Sequence, residues 1–294
     1  MLMRIIVPVF FLVIILSLFS RRLQTNLRRA LADYPELVFL TPATLSLIFC
    51  AIAAIIGAFS VPLALLAVIY TFVPSTYAYV VRKRTAPMWP DFLLILWLWL
   101  PLEFNAGARW VPKPAQSQLH IAAYGISVIL GLVLFLGSRR LEGTKYSLPQ
   151  RWTDLRNVAI GFAALVAILW PLGRAIGFLV PFHLPPHISA ARIGGQFLII
   201  LAATALPEEI LFRAFIQNAL MQKLGFTART LLLAALIFGA AHLDNGPQPL
   251  PNWRYMILAT IAGAVYGKVF QQSSSIFASA TVHALVDTTK HICF

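Results

Sequence analysis

The chain has 294 residues, of which 60% are hydrophobic and only 11% are charged, and its mean hydropathy is +0.81. This composition excludes an ordinary soluble domain and is typical of a polytopic membrane protein. The net charge of +13 would suit a nucleic-acid-binding protein, but the basic residues mostly flank apolar runs and leave no basic, aromatic-rich segment for nucleic acid.

Apolar runs separated by short basic segments make up the first half of the chain. Residues 5–19 predict a first membrane helix, because no cleavage pattern of a signal peptide closes the run. Residues 20–36 hold four arginines and predict a cytoplasmic loop. Further membrane segments are predicted at residues 37–59, 61–81, 92–104 and 119–136, and the third of these is short enough to be tilted, broken or re-entrant.

The most polar loop of the chain, residues 138–156, is the predicted boundary between two domains. Residues 1–150 would form N-terminal membrane helices of unassigned role. Residues 151–294 would form a C-terminal core that carries the functional side chains. In this core, five further apolar runs predict helices separated by short polar connections.

The basic loops indicate how the chain is oriented in the membrane. If each span crosses once, the three richest basic loops fall on one side, which the positive-inside rule assigns to the cytoplasm: residues 20–36, 82–84 and 139–156. The sequence therefore predicts an all-α transmembrane bundle of about 8–10 membrane helices. Its expected location is the cytoplasmic (inner) membrane of a prokaryote.

The stretch Leu206-Pro-Glu-Glu-Ile-Leu-Phe-Arg213 places two carboxylates and a guanidinium in an otherwise apolar run. A charged side chain at the centre of a bilayer costs about 2.5–3.5 kcal/mol, so three of them need an explanation. On a helix, Glu209 and Arg213 are i,i+4 neighbours and can form a structural ion pair. Glu208 points about 100° away and has no partner in its own segment. Pro207 favours a kink that would aim this carboxylate into a cavity.

Two further motifs place imidazoles in apolar helices. Phe238 and His242 share one helix face, and so do His283 and Asp287, because each pair has i,i+4 spacing. Taken alone, a histidine in an apolar helix is more often a hydrogen-bonded core residue than a catalyst or a ligand, and the pair of His283 and Asp287 is compatible with a simple clasp between helices.

The depth of these residues along their helices links the three motifs. Gly225 and Thr227 predict a helix stop and a new N-cap, so the chain turns back near residue 225. Glu208 lies 17 residues before Gly225 and His242 lies 17 residues after it, which puts both about 25 Å from the turn. His283 also lies well inside the last apolar run, so one bundle can bring these groups together.

These motifs, in this order across successive membrane helices, resemble the Abi/CPBP family of intramembrane proteases, which includes the type II CAAX prenyl endopeptidases. The motifs are Glu-Glu-x-x-x-Arg at 208–213, Phe-x-x-x-His at 238–242 and His-x-x-x-Asp at 283–287. The resemblance covers about residues 155–290. It implies cleavage of a membrane-associated or prenylated (CAAX-like) peptide or protein within the plane of the membrane.

The resemblance also implies catalytic roles for four residues. Glu208 would activate a water with help from His242, while His283 and residue 287 would stabilise the oxyanion; Glu209, Arg213 and Phe238 would support them. Prenyl endopeptidases carry Asn at the last position, whereas this chain has Asp287, which cannot donate a hydrogen bond when ionised. Asp287 would then be protonated, orient His283 or bind metal.

Metal chemistry and metal-free chemistry are both open at this point. Glu208, His242 and His283 form a reasonable zinc ligand set, but a carboxylate and an imidazole can also deprotonate water without metal. We favour the version that needs no cofactor.

Two other classes of function compete with an intramembrane endopeptidase. The same ionisable groups would serve an ion- or proton-coupled transporter, although no repeat halves are evident. A catalytically silent membrane scaffold or immunity protein is the other alternative. For the protease, the expected partners are the lipid bilayer and a membrane-anchored substrate; the sequence does not determine the oligomeric state.

Overall fold

The structure, a computed structural model, describes residues 3–185, 188–246 and 249–294. All regular elements in these ranges are helical, and no strand occurs in them. The prediction of an all-α protein is confirmed. The chain divides into two compact units, Met1–Glu142 and Gly143–Phe294.

Six α-helices lie in the described part of the first unit. They are α1 Met3–Ser17, α2 Arg21–Asp33, α3 Leu40–Ile55, α4 Val61–Val80, α5 Trp89–Glu103 and α6 Lys113–Leu132. Helix α6 continues into π-helical turns over Val133–Ser138. Within this unit α1 packs against α6, and α3 packs against both α4 and α6.

The prediction of a loop over residues 20–36 is wrong, because α2 occupies most of it. Ser20 caps this helix, with its hydroxyl accepting a hydrogen bond from the Leu23 amide. The i,i+4 pair Leu27 and Leu31 lies close against Gly137. The helix is thus amphipathic, with its arginines on the polar faces, and it meets the preceding helix at a bend of 83°.

A buried ion pair organises one end of the first unit. The Arg139 guanidinium donates two hydrogen bonds of 2.9 Å to the Asp91 carboxylate, from Nε and Nη2, and neither side chain is exposed. Its Nη1 donates to the carbonyls of Val81 and Arg84. Arg139 therefore satisfies a buried carboxylate and two backbone carbonyls just beyond the end of α4, which its position in a basic loop did not indicate.

Seven α-helices lie in the described part of the second unit. They are α7 Trp152–Ala175, α8 Ala190–Ile200, α9 Leu206–Glu209, α10 Asn218–Leu224, α11 Ala228–Ala240, α12 Trp253–Gln272 and α13 Ile276–Cys293. Helix α12 packs against α7, α11 and α13, and α13 also packs against α7 and α8. The polar side chains of the sequence motifs lie on α9, α11 and α13 and on the turns beside them.

Within the described residues, four helices are long and apolar enough to cross a membrane, and the bent pair α1–α2 would add a fifth. The four are Pro35–Ile55, Val61–Val80, Lys113–Ser138 and Trp152–Ala175. The chain is thus an integral membrane protein with a polytopic helical bundle. The sequence predicted about 8–10 membrane helices, which is more than these four or five. The other described helices are too short or too polar to count as candidate membrane spans on length and composition alone.

Helices α11 and α12 approach so closely that only glycine fits at residue 239. A Cβ atom at this position would lie 2.0 Å from Thr260 Oγ1 and 2.8 Å from the Met256 carbonyl oxygen. Small residues allow this kind of backbone approach in membrane bundles. The position of the Phe238 ring depends on the same close approach of the two helices, because the ring lies beside Gly263 of α12.

We therefore expect Gly239→Ala to lower the free energy of unfolding by about 1–3 kcal/mol through overpacking. Gly195→Ala is the matched control, since that helical glycine is exposed and nothing lies within 4 Å of its Cβ position. Thermal unfolding in detergent micelles measures the stability of both variants. Equal melting temperatures for the two variants would contradict the close approach of α11 and α12.

Candidate active site

The Glu-Glu motif lies on an irregular helical stretch. Helix α9, Leu206–Glu209, is flanked by π-helical turns over Leu201–Ala205 and Ile210–Gln217. Pro207 has no amide hydrogen, and its ring clashes with the carbonyl four residues earlier in a regular helix. The wider turns accommodate this conflict, and such turns occur often at functional sites. The irregularity expected at Pro207 therefore takes the form of π-helical turns.

Glu209 contacts a buried guanidinium and a buried imidazole. Its Oε2 lies 3.1 Å from Arg213 Nε, in the i,i+4 pair that the spacing predicts. Its Oε1 lies 3.1 Å from His283 Nδ1 on α13. Glu209 is fully buried and Arg213 almost so, so each charge depends on the other for compensation. Glu209 therefore has two partners, because it contacts the His283 imidazole at Nδ1 as well as the Arg213 guanidinium.

His283 is the centre of the site, since three carboxylates face its ring. Besides Glu209 at Nδ1, Asp287 Oδ2 lies 3.4 Å from Nε2, and Glu208 Oε2 lies 3.9 Å from the same nitrogen. Ionised carboxylates only accept hydrogen bonds, so a ring that satisfies carboxylates on both sides donates from both nitrogens. The Tyr266 ring stacks on the imidazole at 4.7 Å and fixes its plane.

Glu208 is the least satisfied of the three carboxylates. Its Oε2 is buried, and no group in the described part of the chain donates a hydrogen bond to it. The Glu208 side chain as a whole is 23% exposed, whereas that of Glu209 is fully buried. A buried acceptor oxygen without a donor carries an unfavourable free energy of desolvation. A water molecule or a substrate group that donates a hydrogen bond is therefore best accommodated at Glu208 Oε2.

His242 presents a free ring nitrogen. Its Nδ1 lies 2.8 Å from the Phe238 carbonyl oxygen, which can only accept, so this nitrogen carries a hydrogen and Nε2 of the neutral ring has the lone pair. The ring lies between Phe238 and Tyr255, with centroid distances of 4.7 and 4.6 Å. His242 forms no hydrogen bond with Glu208 in the described structure.

Phe238 fills the space between the charged groups. The Arg213 guanidinium lies 4.4 Å from the centroid of its ring, a cation–π contact. The edge of the ring meets the His283 imidazole at 5.8 Å. The Phe238 ring therefore contacts the buried guanidinium through its face and also packs against both imidazoles.

A cavity of 70 Å³ lies beside these residues. Aromatic and aliphatic side chains of α7 and α12 form most of its wall. The polar side chains that line it include His242, Tyr255, Tyr266, His283, Asp287 and Lys290. This volume has room for a few water molecules, which the polar lining can bind. Glu208 does not line the cavity, although it faces the same His283 nitrogen as Asp287, which does.

The structure also shows contacts that the motifs did not indicate. Lys145 Nζ donates to three carbonyls at the end of α12, those of Phe270, Gln271 and Ser273, at 2.7–2.9 Å. Burial lowers the pKa of Lys145. Asp154 accepts hydrogen bonds from the Ser274 amide and hydroxyl. Both residues belong to the polar segment over residues 138–156, and they fix the turn that sets the position of α13.

The residues proposed as metal ligands do not form a ready ligand set. In the described residues, no three His, Cys, Asp or Glu side chains are arranged to hold a metal ion. His283 directs both ring nitrogens at carboxylates, which leaves it no lone pair for a metal when both are protonated. The donor set of Glu208, His242 and His283 therefore does not fit a zinc site in this arrangement.

Comparison with known proteins identifies the region that holds the site. Residues 191–289, about a third of the chain, match a family model described as Type II CAAX prenyl endopeptidase Rce1-like. No curated protein and no solved structure matches the chain. The matched region contains all seven motif residues, from Glu208 to Asp287. The chain therefore carries, at residues 191–289, a domain of the Rce1-like family of type II CAAX prenyl endopeptidases, within the Abi/CPBP proteases.

Proposed function

We propose that the protein is an intramembrane endopeptidase that cleaves a membrane-associated or prenylated (CAAX-like) peptide with a water activated by Glu208 and His242. The observation that carries this proposal is the convergence of three carboxylates on His283 inside an apolar helical bundle. Ionisable groups buried in membrane segments are costly, and a structural ion pair would not need this many. The Rce1-like domain supports a peptidase at the level of the family.

In the proposed reaction Glu208 acts as the general base. Its unpartnered oxygen takes a proton as the water oxygen attacks the carbonyl carbon of the scissile bond, and His242 Nε2 accepts the second hydrogen bond of that water. The proton on Glu208 then passes to the amide nitrogen as the carbon–nitrogen bond breaks. His283 shares its Nε2 hydrogen between Asp287 and the oxyanion that forms in between.

Glu209 is the positioning residue for His283. It binds Nδ1 and leaves Nε2 directed toward Glu208 and Asp287. The buried Arg213 holds Glu209 in turn. No step requires a cofactor, and the expected location is the cytoplasmic membrane of a prokaryote, with the basic loops in the cytoplasm.

The proposed function is tested with the purified protein in detergent or lipid nanodiscs. It is incubated with a tagged membrane-proteome library, with and without a metal chelator, and new peptide termini are identified by mass spectrometry. We expect the same cleavage products in both conditions and none with Glu208→Gln. Cleavage products that disappear when chelator is added would support the metal-dependent alternative. The absence of cleavage products in both conditions would refute the proposal that the protein is a protease.

Asp287 is expected to hold His283 and stabilise its positive charge. We expect Asp287→Asn to lower kcat by about 10–100-fold, because the hydrogen bond to the imidazole loses its ionic partner. Measurement of kcat across pH, with and without chelator, checks this. The control is Asp244→Asn, which removes an exposed carboxylate from the same unit. An undiminished, chelator-insensitive Asp287→Asn enzyme would instead assign residue 287 the role of a neutral donor to the oxyanion.

A further inference from the structure

The first unit holds a cavity of its own, in the part of the chain that lies outside the region matched by the family model. This cavity lies among α3, α4, α6 and the segment that joins α5 to α6. Its volume is 330 Å³, against 70 Å³ for the cavity beside His283. Pockets that bind small molecules have volumes of about 300 Å³ and more. The cavity of the first unit is therefore large enough for a ligand.

The wall of this cavity is mainly aliphatic and carries no fixed charge. Among the described residues that line it, there is no Asp, Glu, Lys or Arg. Its hydroxyl groups are already engaged, since Ser46 and Thr71 share a hydrogen bond of 2.8 Å and the Tyr70 hydroxyl donates to the Leu98 carbonyl oxygen. An ionised ligand would lose its hydration here without gaining a counter-ion. The wall therefore favours an uncharged and largely apolar ligand.

Unused hydrogen-bonding groups line the cavity from the segment before α6 and from the first two turns of that helix. Gln116 Nε2 donates to the carbonyls of Ala108 and Val111, at 3.2 and 3.1 Å. These two acceptors fix the orientation of the amide, and Gln116 Oε1 accepts no hydrogen bond from the described residues. The side chains of Asn105 and His120 also line the cavity and form no hydrogen bond within the described ranges. This part of the wall can therefore bind a polar group of a ligand.

We propose that this cavity binds a single-chain amphiphile with an uncharged hydroxyl head group, that is, a long-chain primary alcohol. The aliphatic wall takes the chain. The hydroxyl, which both donates and accepts, pairs with Gln116 Oε1 and with the Asn105 amide. If a methylene group takes about the 30 Å³ of a water molecule in the liquid, 330 Å³ corresponds to a chain of roughly ten carbon atoms. The site belongs to the first unit, and the inference does not depend on the proposed function.

Competition for a photoreactive ten-carbon alcohol tests the site in the full chain, held in lipid nanodiscs. The probe carries a diazirine on its chain, and mass spectrometry locates its adducts. We expect adducts on the residues of α4 and α6 that line the cavity, and their displacement by 1-decanol. At equal mole fraction in the bilayer, decane and decyl methyl ether should compete about tenfold less well, because neither can donate to Gln116 Oε1. Ionised decanoate should compete as weakly, because the wall offers it no cation.

Variants that fill the cavity connect the adducts to this site. Ala67 of α4 and Ala123 of α6 both line it, so Ala67→Leu or Ala123→Leu places a larger side chain in the space that the ligand would take. We expect either variant to lose the displaceable adducts about tenfold while it melts at or above the wild-type temperature, because the added side chain fills a cavity. Ala51→Leu is the matched control, since Ala51 is exposed on α3 and does not line the cavity. It should be labelled as the wild type is.

The recognition of the hydroxyl is tested separately at Gln116. We expect decanol and decane to compete alike in Gln116→Met, because the acceptor oxygen is gone. Since Gln116 also holds two backbone carbonyls, the series of ligands on the wild-type protein tests the same point without a substitution. Decane that displaces the probe from the wild type as well as decanol does would overturn the proposal. Displaceable adducts that persist undiminished in both filled variants, or adducts that decanol does not displace, would overturn it as well.

Discussion

Replacement of Glu208 by glutamine is expected to abolish peptide-bond cleavage while the protein still inserts into the membrane and accumulates. The amide cannot take a proton from water, and general-base catalysis contributes about 10²–10⁴ to the rate. The effect on stability should be small, because Glu208 Oε2 has no hydrogen-bond partner to lose in the described structure. Cleavage rates and thermal unfolding in the same detergent preparation measure the two quantities.

The control for this variant is Glu36→Gln, which neutralises an exposed carboxylate in the other unit. It should retain wild-type cleavage and wild-type stability. Full activity in Glu208→Gln would show that another group is the base. A large drop in melting temperature with Glu208→Gln would show instead that this carboxylate is structural.

The largest loss of stability is expected from Arg213→Leu. Removal of one partner of a buried ion pair costs about 3–5 kcal/mol, because the remaining charge has lost its compensation. Here the remaining charge is Glu209, which is fully buried and, among the described residues, keeps only His283 as its partner. We expect the variant to accumulate poorly and to unfold at a much lower temperature, as measured by membrane yield and by melting in detergent.

A double variant separates the two roles of Glu209. Arg213→Leu combined with Glu209→Leu removes both charges, and we expect it to recover part of the lost stability. It should still cleave poorly, because His283 has lost its partner at Nδ1. The control is Arg229→Leu, an exposed arginine at the start of α11. Wild-type melting of the single Arg213→Leu variant would refute a buried, mutually dependent pair.

The sequence by itself determined the features that depend on spacing within one helix. It predicted the all-helical membrane class from composition, and the ends of α10 and α11 from Gly225 and Thr227. Gly225 ends α10 with a φ of +89°, and the Thr227 side chain caps α11. The i,i+4 neighbours Glu209 and Arg213 are in contact for the same reason. These features were predictable because helical geometry fixes distances between residues three or four apart.

The tertiary structure decided which helix faces meet and at what level. The contact from Glu209 to His283 joins residues 74 positions apart, and the stacking of Tyr266 on that imidazole depends on the rotation of a third helix. Helix α2 shows the same limit, since its arginines predicted a loop and its packed leucines make it a helix. Local spacing carries no information on the register and rotation between helices, which the close packing of small residues such as Gly239 sets instead.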